Sequence, residues 1–164
     1  MISIIVFIDD GSPIIIVQKR VGLNGKSFNF YKYRTMKLGT PDLPTILLNN
    51  PDEYHTRIGR LLRKFSIDEL PQLINIIKGD MVFVGPRPVL PNEIELTELR
   101  NKKGVLRLKP GLTGWAQVNG RDELSIPERV KFDEFYLQNK SFLLDLKIIY
   151  LTIWEVFKGN GTVP

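Results

Sequence analysis

The chain has 164 residues, of which 43% are hydrophobic and 25% are charged, so it holds enough apolar material for the core of one domain and is not an intrinsically disordered polypeptide. Its net charge of +5 predicts an anionic partner, which is nucleic acid, a phosphorylated substrate or an anionic membrane surface. Because the chain contains no cysteine, disulfides and thiolate metal sites are excluded.

The first segment, MISIIVFI, is apolar apart from one serine. It is far shorter than the roughly 20 residues that a membrane-spanning helix needs, and it lacks the basic start of a signal peptide. Two interpretations have equal weight: the end of a hydrophobic helix, or a buried strand followed by an Asp-Asp-Gly turn.

A β-hairpin is predicted after this segment. Residues 13–21 are rich in β-branched side chains, LNGK at 23–26 supplies an Asn-Gly turn, and residues 27–36 alternate as a returning strand. Between Gly11 and Pro41 the chain has six basic residues and no acidic one. Charge of one sign is typical either of a solvated face or of an anion-binding site.

Helices are predicted over most of the remaining chain. Residues 50–65 form one helix, with Asn50 as its N-cap, whose apolar stripe and basic face fit either a core-packed helix or a helix in a membrane interface. The patterns beyond it predict helices at about 66–77, 91–103, 125–139 and 142–157, a short buried strand in MVFVGPRP, and an irregular glycine-rich segment at 108–121. The last helix is nearly all apolar but too short to span a bilayer.

Together these elements predict an α+β (mixed α/β) fold. We expect a compact single domain with a small β-hairpin or sheet and several amphipathic helices, associated with a membrane interface. No boundary inside the chain separates two domains.

Two adjacent carboxylates, Asp68 and Glu69, stand in the stretch KFSIDELPQL. Ser66 and Glu69 have the spacing of a capping box, which would make the pair structural. That register puts Pro71 inside the helix, where its missing N–H leaves the carbonyl of Ile67 unbonded. A carboxylate at a helix start also stays ionised, which suits a nucleophile or a metal ligand. The local pattern leaves both interpretations open.

Four motifs occur in order along the chain: QKRVGLNGKSFNFYKYRTM, RIGRLLRKFSIDELPQLINIIKGDMVFVGPRP, KPGLTGWAQVNGR and SFLLDLKIIYLTI. With them the chain resembles the bacterial sugar transferase family, the monotopic polyprenyl-phosphate phosphoglycosyl transferases, over about residues 12 to 158. The resemblance implies transfer of sugar-1-phosphate from a UDP-sugar to polyprenol (undecaprenyl) phosphate, with release of UMP through a covalent aspartyl-phosphosugar intermediate. It implies Mg²⁺ as cofactor, a membrane surface as partner, no nucleic acid, and a place on the cytoplasmic face of the bacterial inner membrane.

The resemblance also implies roles for individual residues. Asp68 would be the nucleophile and a ligand of Mg²⁺, and Glu69 would position or deprotonate the acceptor. The candidate contacts with phosphate or nucleotide are Lys32, Arg34, Arg63, Arg87, Lys109, Arg121 and Asp133. His55, the only histidine, is expected to be an exposed helix residue.

Family members begin with a longer hydrophobic segment, so the resemblance makes residues 1–11 a remnant of that segment and residues 12–164 the catalytic domain. Two other hypotheses remain. The chain is a catalytically weak scaffold at a membrane surface, or its basic charge serves a nucleic-acid-binding domain. A glycosidase is disfavoured, because its two carboxyls usually stand on separate elements across a sugar.

Overall fold

The computed structural model describes residues 1–41, 50–120 and 123–158. Its helices are α1 (Ile2–Asp10), α2 (Pro51–Tyr54), α3 (Arg57–Lys64), α4 (Leu73–Lys78), α5 (Ile94–Lys102), α6 (Trp115–Val118), α7 (Ile126–Asn139) and α8 (Phe142–Phe157). Its strands are β1 (Ile15–Val21), β2 (Ser27–Tyr33), β3 (Val82–Val84) and β4 (Gly111–Thr113). Helices and strands alternate irregularly, so the predicted mixed class is confirmed.

Two small sheets are present in the described residues. β1 pairs with β2 in the predicted hairpin, where Asn24 and Gly25 take the positive φ values of 53° and 75° that the tight connection requires. β3 pairs in parallel with β4, in the register Val82 to Gly111 and Val84 to Thr113. The first segment is the helix α1, so the strand interpretation of MISIIVFI is wrong.

Helix ends follow the capping residues of the sequence. α4 stops at Gly79, which is left-handed with φ 79°. The capping box of Ser125 and Glu128 opens α7, and the Ser141 hydroxyl accepts a hydrogen bond of 3.3 Å from the amide of Leu144 at the start of α8. No helix in the described part of the chain is long and apolar enough to cross a membrane.

The predicted helix over 50–65 is wrong, because it is broken into α2 and α3. His55 leaves the helix to form an antiparallel bridge with Met36, and Thr56 then caps α3 by accepting a hydrogen bond of 2.9 Å from the amide of Gly59. His55 is only 5% exposed, so the expectation of an exposed helix histidine is also wrong. A bridge to a distant segment is a tertiary contact that helical periodicity does not reveal.

The described residues group into two units. The first contains residues 1–17, 31–41, 50–71 and 155–158. In it, the carboxylate of Asp9 accepts a hydrogen bond of 2.9 Å from the amide of Ile58, which ties the end of α1 to the start of α3. Val6 and Leu62 are its buried apolar side chains.

The second unit contains residues 18–30, 72–120 and 123–154. It has two apolar clusters, one around Val84, Tyr136 and Ile148 and the other around Val89, Leu96 and Val130. Both clusters include residues of α7. Val84, at the start of the segment 84–89, belongs to the first cluster, and Val89, at its end, belongs to the second. The turn between β3 and α5 is therefore held by core packing at both ends.

Candidate active site

The carboxylate pair lies in a short 3-10 segment, Ile67–Gln72, that follows α3. Both acids are in its first turn, and both are buried: Asp68 is 4% exposed and Glu69 is 7% exposed. Acidic side chains are rarely buried to this extent unless they are paired or have a chemical role. Burial therefore separates this pair from ordinary surface capping residues.

The backbone around the pair does not form the predicted capping box. The amide of Ser66 donates to the carbonyl of Arg63 at 3.0 Å, and Ser66 has a left-handed φ of 53°. The buried hydroxyl of Ser66 makes no hydrogen bond in the described structure. Pro71 lies inside the 3-10 segment, and α-helical bonding begins only afterwards, in α4. The hydroxyl and amide of Ser66 therefore do not make the hydrogen bonds of a capping box, which removes the support for a structural role of Glu69 as its partner.

Three predicted cations belong to the same unit as the pair. Arg63 is buried in the last turn of α3, five residues before Asp68, and Lys32 is half-buried on β2. Arg34 is buried and donates to the carbonyls of Ser12 at 3.2 Å, Gly11 at 2.9 Å and Asp10. It also pairs with the Asp10 carboxylate at 3.3 Å. These described contacts anchor the end of α1, which is a structural role that the sequence did not indicate.

Arg87 follows the glycine-rich crossing of β3 and β4 in the second unit. The amide of Gly85 donates to the carbonyl of Thr113 at 2.8 Å, and the amide of Gly111 donates to the carbonyl of Pro86 at 2.9 Å. A Cβ on Gly114 would lie 2.1 Å from the carbonyl oxygen of Gly85, where no side chain fits. The motifs VGPRP and KPGLTG are therefore parts of one backbone junction, which holds the turn that carries Arg87.

Asp133 is buried on α7 against Arg100 of α5. Its Oδ2 accepts a hydrogen bond of 2.8 Å from Arg100 Nε and lies 2.6 Å from Arg100 Nη2. Burial raises the pKa of Asp133, and the guanidinium of Arg100 opposes that rise. Arg100 in turn donates to the carbonyl of Arg87 at 2.8 Å. The predicted contact of Asp133 with substrate stays a prediction, because its described partner is this arginine.

Sequence reasoning missed Arg100, although a signal was present. Arg100 stands four residues after Leu96, so the two share a helix face, and Leu96 is completely apolar and buried. An arginine in the apolar stripe of a helix needs a buried acidic partner. Asp133, already singled out by the family resemblance, was the obvious candidate.

The remaining predicted contacts are in the second unit or outside the description. Lys109 is exposed and lines a cleft of about 280 Å³. The cleft has cations at Arg107, Lys109 and Lys140 and apolar walls that include Leu23, Val82 and Leu108. Arg121 lies outside the described residues, so its predicted role is not tested.

Carboxylate oxygens are the donors that Mg²⁺ prefers, and Asp68 and Glu69 supply two of them in adjacent positions. No group of three or more His, Cys, Asp or Glu that could hold a metal occurs in the part of the chain that is described. Mg²⁺ usually takes one or two carboxylates and completes its shell with water and substrate phosphates. The pair therefore fits a magnesium ion that arrives with a diphosphate.

Comparison with known proteins agrees with these features. The family model described as "Bacterial sugar transferase" matches residues 1–159. An uncharacterized sugar transferase, EpsL, of Bacillus subtilis is 47% identical over 153 residues, which are 92% of this chain and 73% of that protein. The exopolysaccharide production protein ExoY of Rhizobium meliloti is 41% identical over 99% of this chain and 78% of its own length. The UDP-glucose:undecaprenyl-phosphate glucose-1-phosphate transferase of Escherichia coli is 40% identical, but the chain spans only 36% of that protein. The chain belongs to the bacterial sugar transferase family.

Proposed function

We propose that this chain transfers sugar-1-phosphate from a UDP-sugar to undecaprenyl phosphate and releases UMP. The observation that carries the proposal is the buried pair of Asp68 and Glu69, in a chain that the family model matches over residues 1–159. Relatives support it through their names, which include an undecaprenyl-phosphate galactose phosphotransferase of Salmonella typhimurium and an undecaprenyl-phosphate glucose phosphotransferase of Komagataeibacter xylinus.

Asp68 acts as the nucleophile in this proposal. One of its carboxylate oxygens attacks the phosphorus that bears the sugar, and the bond from that phosphorus to the bridging oxygen breaks, so UMP leaves with that oxygen. A phosphate oxygen of undecaprenyl phosphate then attacks the same phosphorus and expels the Asp68 carboxylate. The product is a diphosphate that links the polyprenol to the sugar. Because Asp68 is only 4% exposed, the acyl-phosphate intermediate is shielded from hydrolysis by bulk water.

Charge at the reacting groups is balanced by cations. Asp68 and Glu69 would hold Mg²⁺, which would supply positive charge to offset the phosphate oxygens that an anionic nucleophile must approach. We propose Arg63, in the same unit as the pair, as a further contact with the donor, and the family resemblance makes Arg87 another, since arginine matches the geometry of phosphate oxygens. Glu69 positions the acceptor phosphate or takes its proton.

We propose that the chain works at the cytoplasmic face of the inner membrane, where its acceptor is anchored. Large apolar side chains that water can reach support this. On α8 they include Phe142, Leu143, Tyr150 and Trp154, and on α1 they include Ile4, Phe7 and Ile8. Exposed apolar side chains concentrated on helices are typical of surfaces that meet lipid.

The test measures intact-protein mass and UMP release after incubation with Mg²⁺ and a panel of UDP-sugars, without acceptor. The panel includes UDP-glucose and UDP-galactose, because relatives are named for these sugars, and an N-acetylated UDP-sugar. We expect a sugar-phosphate adduct and equimolar UMP with the parent chain, and neither with Asp68→Asn. Glu98→Gln is the matched control, because it removes a carboxylate from the exposed surface of α5. It should leave the adduct unchanged.

Adding undecaprenyl phosphate in detergent should discharge the adduct and turn the single burst of UMP into turnover. An adduct that persists in Asp68→Asn would refute the nucleophile assignment. Absence of both adduct and UMP with every donor and acceptor would refute the transferase proposal and favour the scaffold. Nucleic-acid binding would instead give salt-dependent retention of DNA or RNA that is indifferent to Asp68→Asn.

A further inference from the structure

The turn that carries Arg87 is hydrogen-bonded at one end to Tyr136 of α7 and at the other end to Arg100 of α5, which is held by Asp133 of α7. At its start, Tyr136 Oη lies 3.1 Å from the carbonyl oxygen of Val84 and 2.7 Å from Oδ1 of Asp145, so one hydroxyl proton serves both acceptors. At its end, the carbonyl of Arg87 accepts a hydrogen bond from Arg100, whose guanidinium is held by Asp133. Asp133 and Tyr136 are three residues apart, so they lie on the same side of the helix.

Arg100 is suited to this bridging position because its guanidinium is planar and its donors point in fixed directions. Nε and Nη2 face one carboxylate oxygen of Asp133, at 2.8 and 2.6 Å, which leaves Nη1 directed at the carbonyl of Arg87 at 2.8 Å. Both side chains are almost completely buried, at 3% and 2% exposure. Their positions are therefore fixed by packing as well as by hydrogen bonds.

A buried ion pair is a poor way to gain stability, because the desolvation of two charges offsets most of their attraction. Such a pair is better suited to selecting one arrangement of the groups around it. Here the pair selects one position for the backbone of Arg87, because Arg100 donates to its carbonyl. A surface ion pair at 3.1 Å between Lys103, which directly follows α5, and Glu134 of α7 already links these helices without reaching the turn. The buried pair therefore makes a contact, from Arg100 to the carbonyl of Arg87, that is not needed to pack α5 against α7.

We propose that Asp133 and Arg100 are positioning residues, which fix the backbone of Arg87 and so set where its side chain meets the donor diphosphate. This inference rests on the proposed function, in which Arg87 contacts the donor. Asp133 then acts through Arg100 and does not touch the substrate. The family resemblance made Asp133 a direct contact, and the geometry points to an indirect role.

The first test replaces the pair by apolar residues of similar size, in the double variant Arg100→Met with Asp133→Leu. Replacing both charges of a buried pair by apolar residues is often neutral or stabilising, whereas removing one charge is strongly destabilising. We expect a cooperative melting transition and a KM for the UDP-sugar that rises about tenfold, because weakening a charge-assisted contact with phosphate by about 1.4 kcal/mol corresponds to that factor. The kcat should fall much less. Lys103→Gln with Glu134→Gln is the matched control and should keep the parent KM.

The second test asks whether the pair acts through Arg87. In an Arg87→Ala background, the double variant should raise KM no further, because the contact that it positions is already gone. A further rise of the same factor would overturn the proposal, since it would show an effect independent of Arg87. A folded double variant with the parent KM would overturn it as well.

A third measurement separates this inference from the proposed function. Hydrogen–deuterium exchange of the peptide that covers residues 84–90 should be at least about fivefold faster in the apolar double variant than in the Lys103→Gln, Glu134→Gln control. If the parent releases no UMP with any donor, the proposed function fails, and exchange alone decides whether the pair holds the turn. Equal exchange in the two variants would refute the positioning role, whatever the activity.

Discussion

Replacing Gly59 by alanine should destabilise the protein, although it puts a better helix former into a helix. Gly59 lies in the first turn of α3, where this helix crosses the backbone of Thr35. A Cβ at this position would lie 2.1 Å from the carbonyl oxygen and 2.7 Å from the Cα of Thr35. Both atoms belong to the backbone, so no side-chain rotation relieves the overlap.

The size of the effect follows from opposing contributions. Alanine gains about 1 kcal/mol over glycine in helix propensity. To bring the new Cβ from 2.1 Å to the 3.4 Å of an ordinary contact, α3 and Thr35 must separate by about 1.3 Å. That separation costs about 1–3 kcal/mol in packing, and it breaks the hydrogen bond of 3.1 Å from the amide of Thr56 to Thr35, worth about 1 kcal/mol more. The net loss is therefore about 1–3 kcal/mol.

Thermal or urea unfolding measures this loss directly. For a domain of this size we expect the melting temperature of Gly59→Ala to fall by about 2–12 °C. Arg57→Ala, in the same helix turn but exposed, is the control and should change stability by less than about 0.5 kcal/mol. If Gly59→Ala were as stable as the parent or more stable, helix propensity would outweigh the crossing, and the reasoning would be wrong.

Two further predictions concern the second unit. The hydrogen bonds from Ser125 lower the pKa of Glu128, so this carboxylate contributes stability above the ordinary glutamate pKa of 4.5 and loses it as the pH falls through its lowered value. The stability difference between the parent and Glu128→Gln in urea unfolding should therefore shrink below about pH 4.5, and a constant difference down to pH 2 would contradict this. Tyr136→Phe removes the hydroxyl that serves Val84 and Asp145, and it should cost about 1–2 kcal/mol in the same assay. An unchanged free energy of unfolding in Tyr136→Phe would contradict this prediction.

Local rules predicted much of the secondary structure. Asn24 and Gly25 supply the left-handed residues of the hairpin connection, Gly79 ends α4, and the capping box at Ser125 begins α7. Each of these features is decided within a few residues, either by a side chain that bonds to nearby backbone or by a residue that tolerates a left-handed backbone. Such short-range chemistry can be recognised in a sequence because the partners are adjacent in it.

The break after α2 could not be predicted in the same way. Residues 50–65 have continuous helical periodicity, but His55 pairs with Met36, and Gly59 accommodates Thr35. The partners are 19 and 24 residues away in the sequence, as their numbers show. The glycine inside RIGRLLR was a weak sign of a close backbone approach, yet nothing in the sequence indicated which segment approaches.

The candidate site shows the same division. Asp68 and Glu69 were identified from the motif, while their burial and the absence of a Ser66 cap came from the structure. Arg34 and Asp133 were predicted as contacts with phosphate or nucleotide because of the family resemblance. Their described contacts are with the end of α1 for Arg34 and with the buried Arg100 for Asp133, and the predicted substrate contacts stay predictions. A motif marks a residue as needed without stating which neighbour it serves.

The sequence by itself determined the family, the mixed fold class, most helix and strand positions, and the carboxylate pair at the centre of the proposed chemistry. These features follow from local periodicity, capping residues and motif order, which are properties of neighbouring residues. Only the tertiary structure decided that α2 and α3 are separate, that the glycines of VGPRP and KPGLTG cross at one junction, and that Asp133 reaches Arg87 through Arg100. Those contacts join residues far apart in the chain, and their geometry depends on how buried side chains pack, which no local pattern encodes.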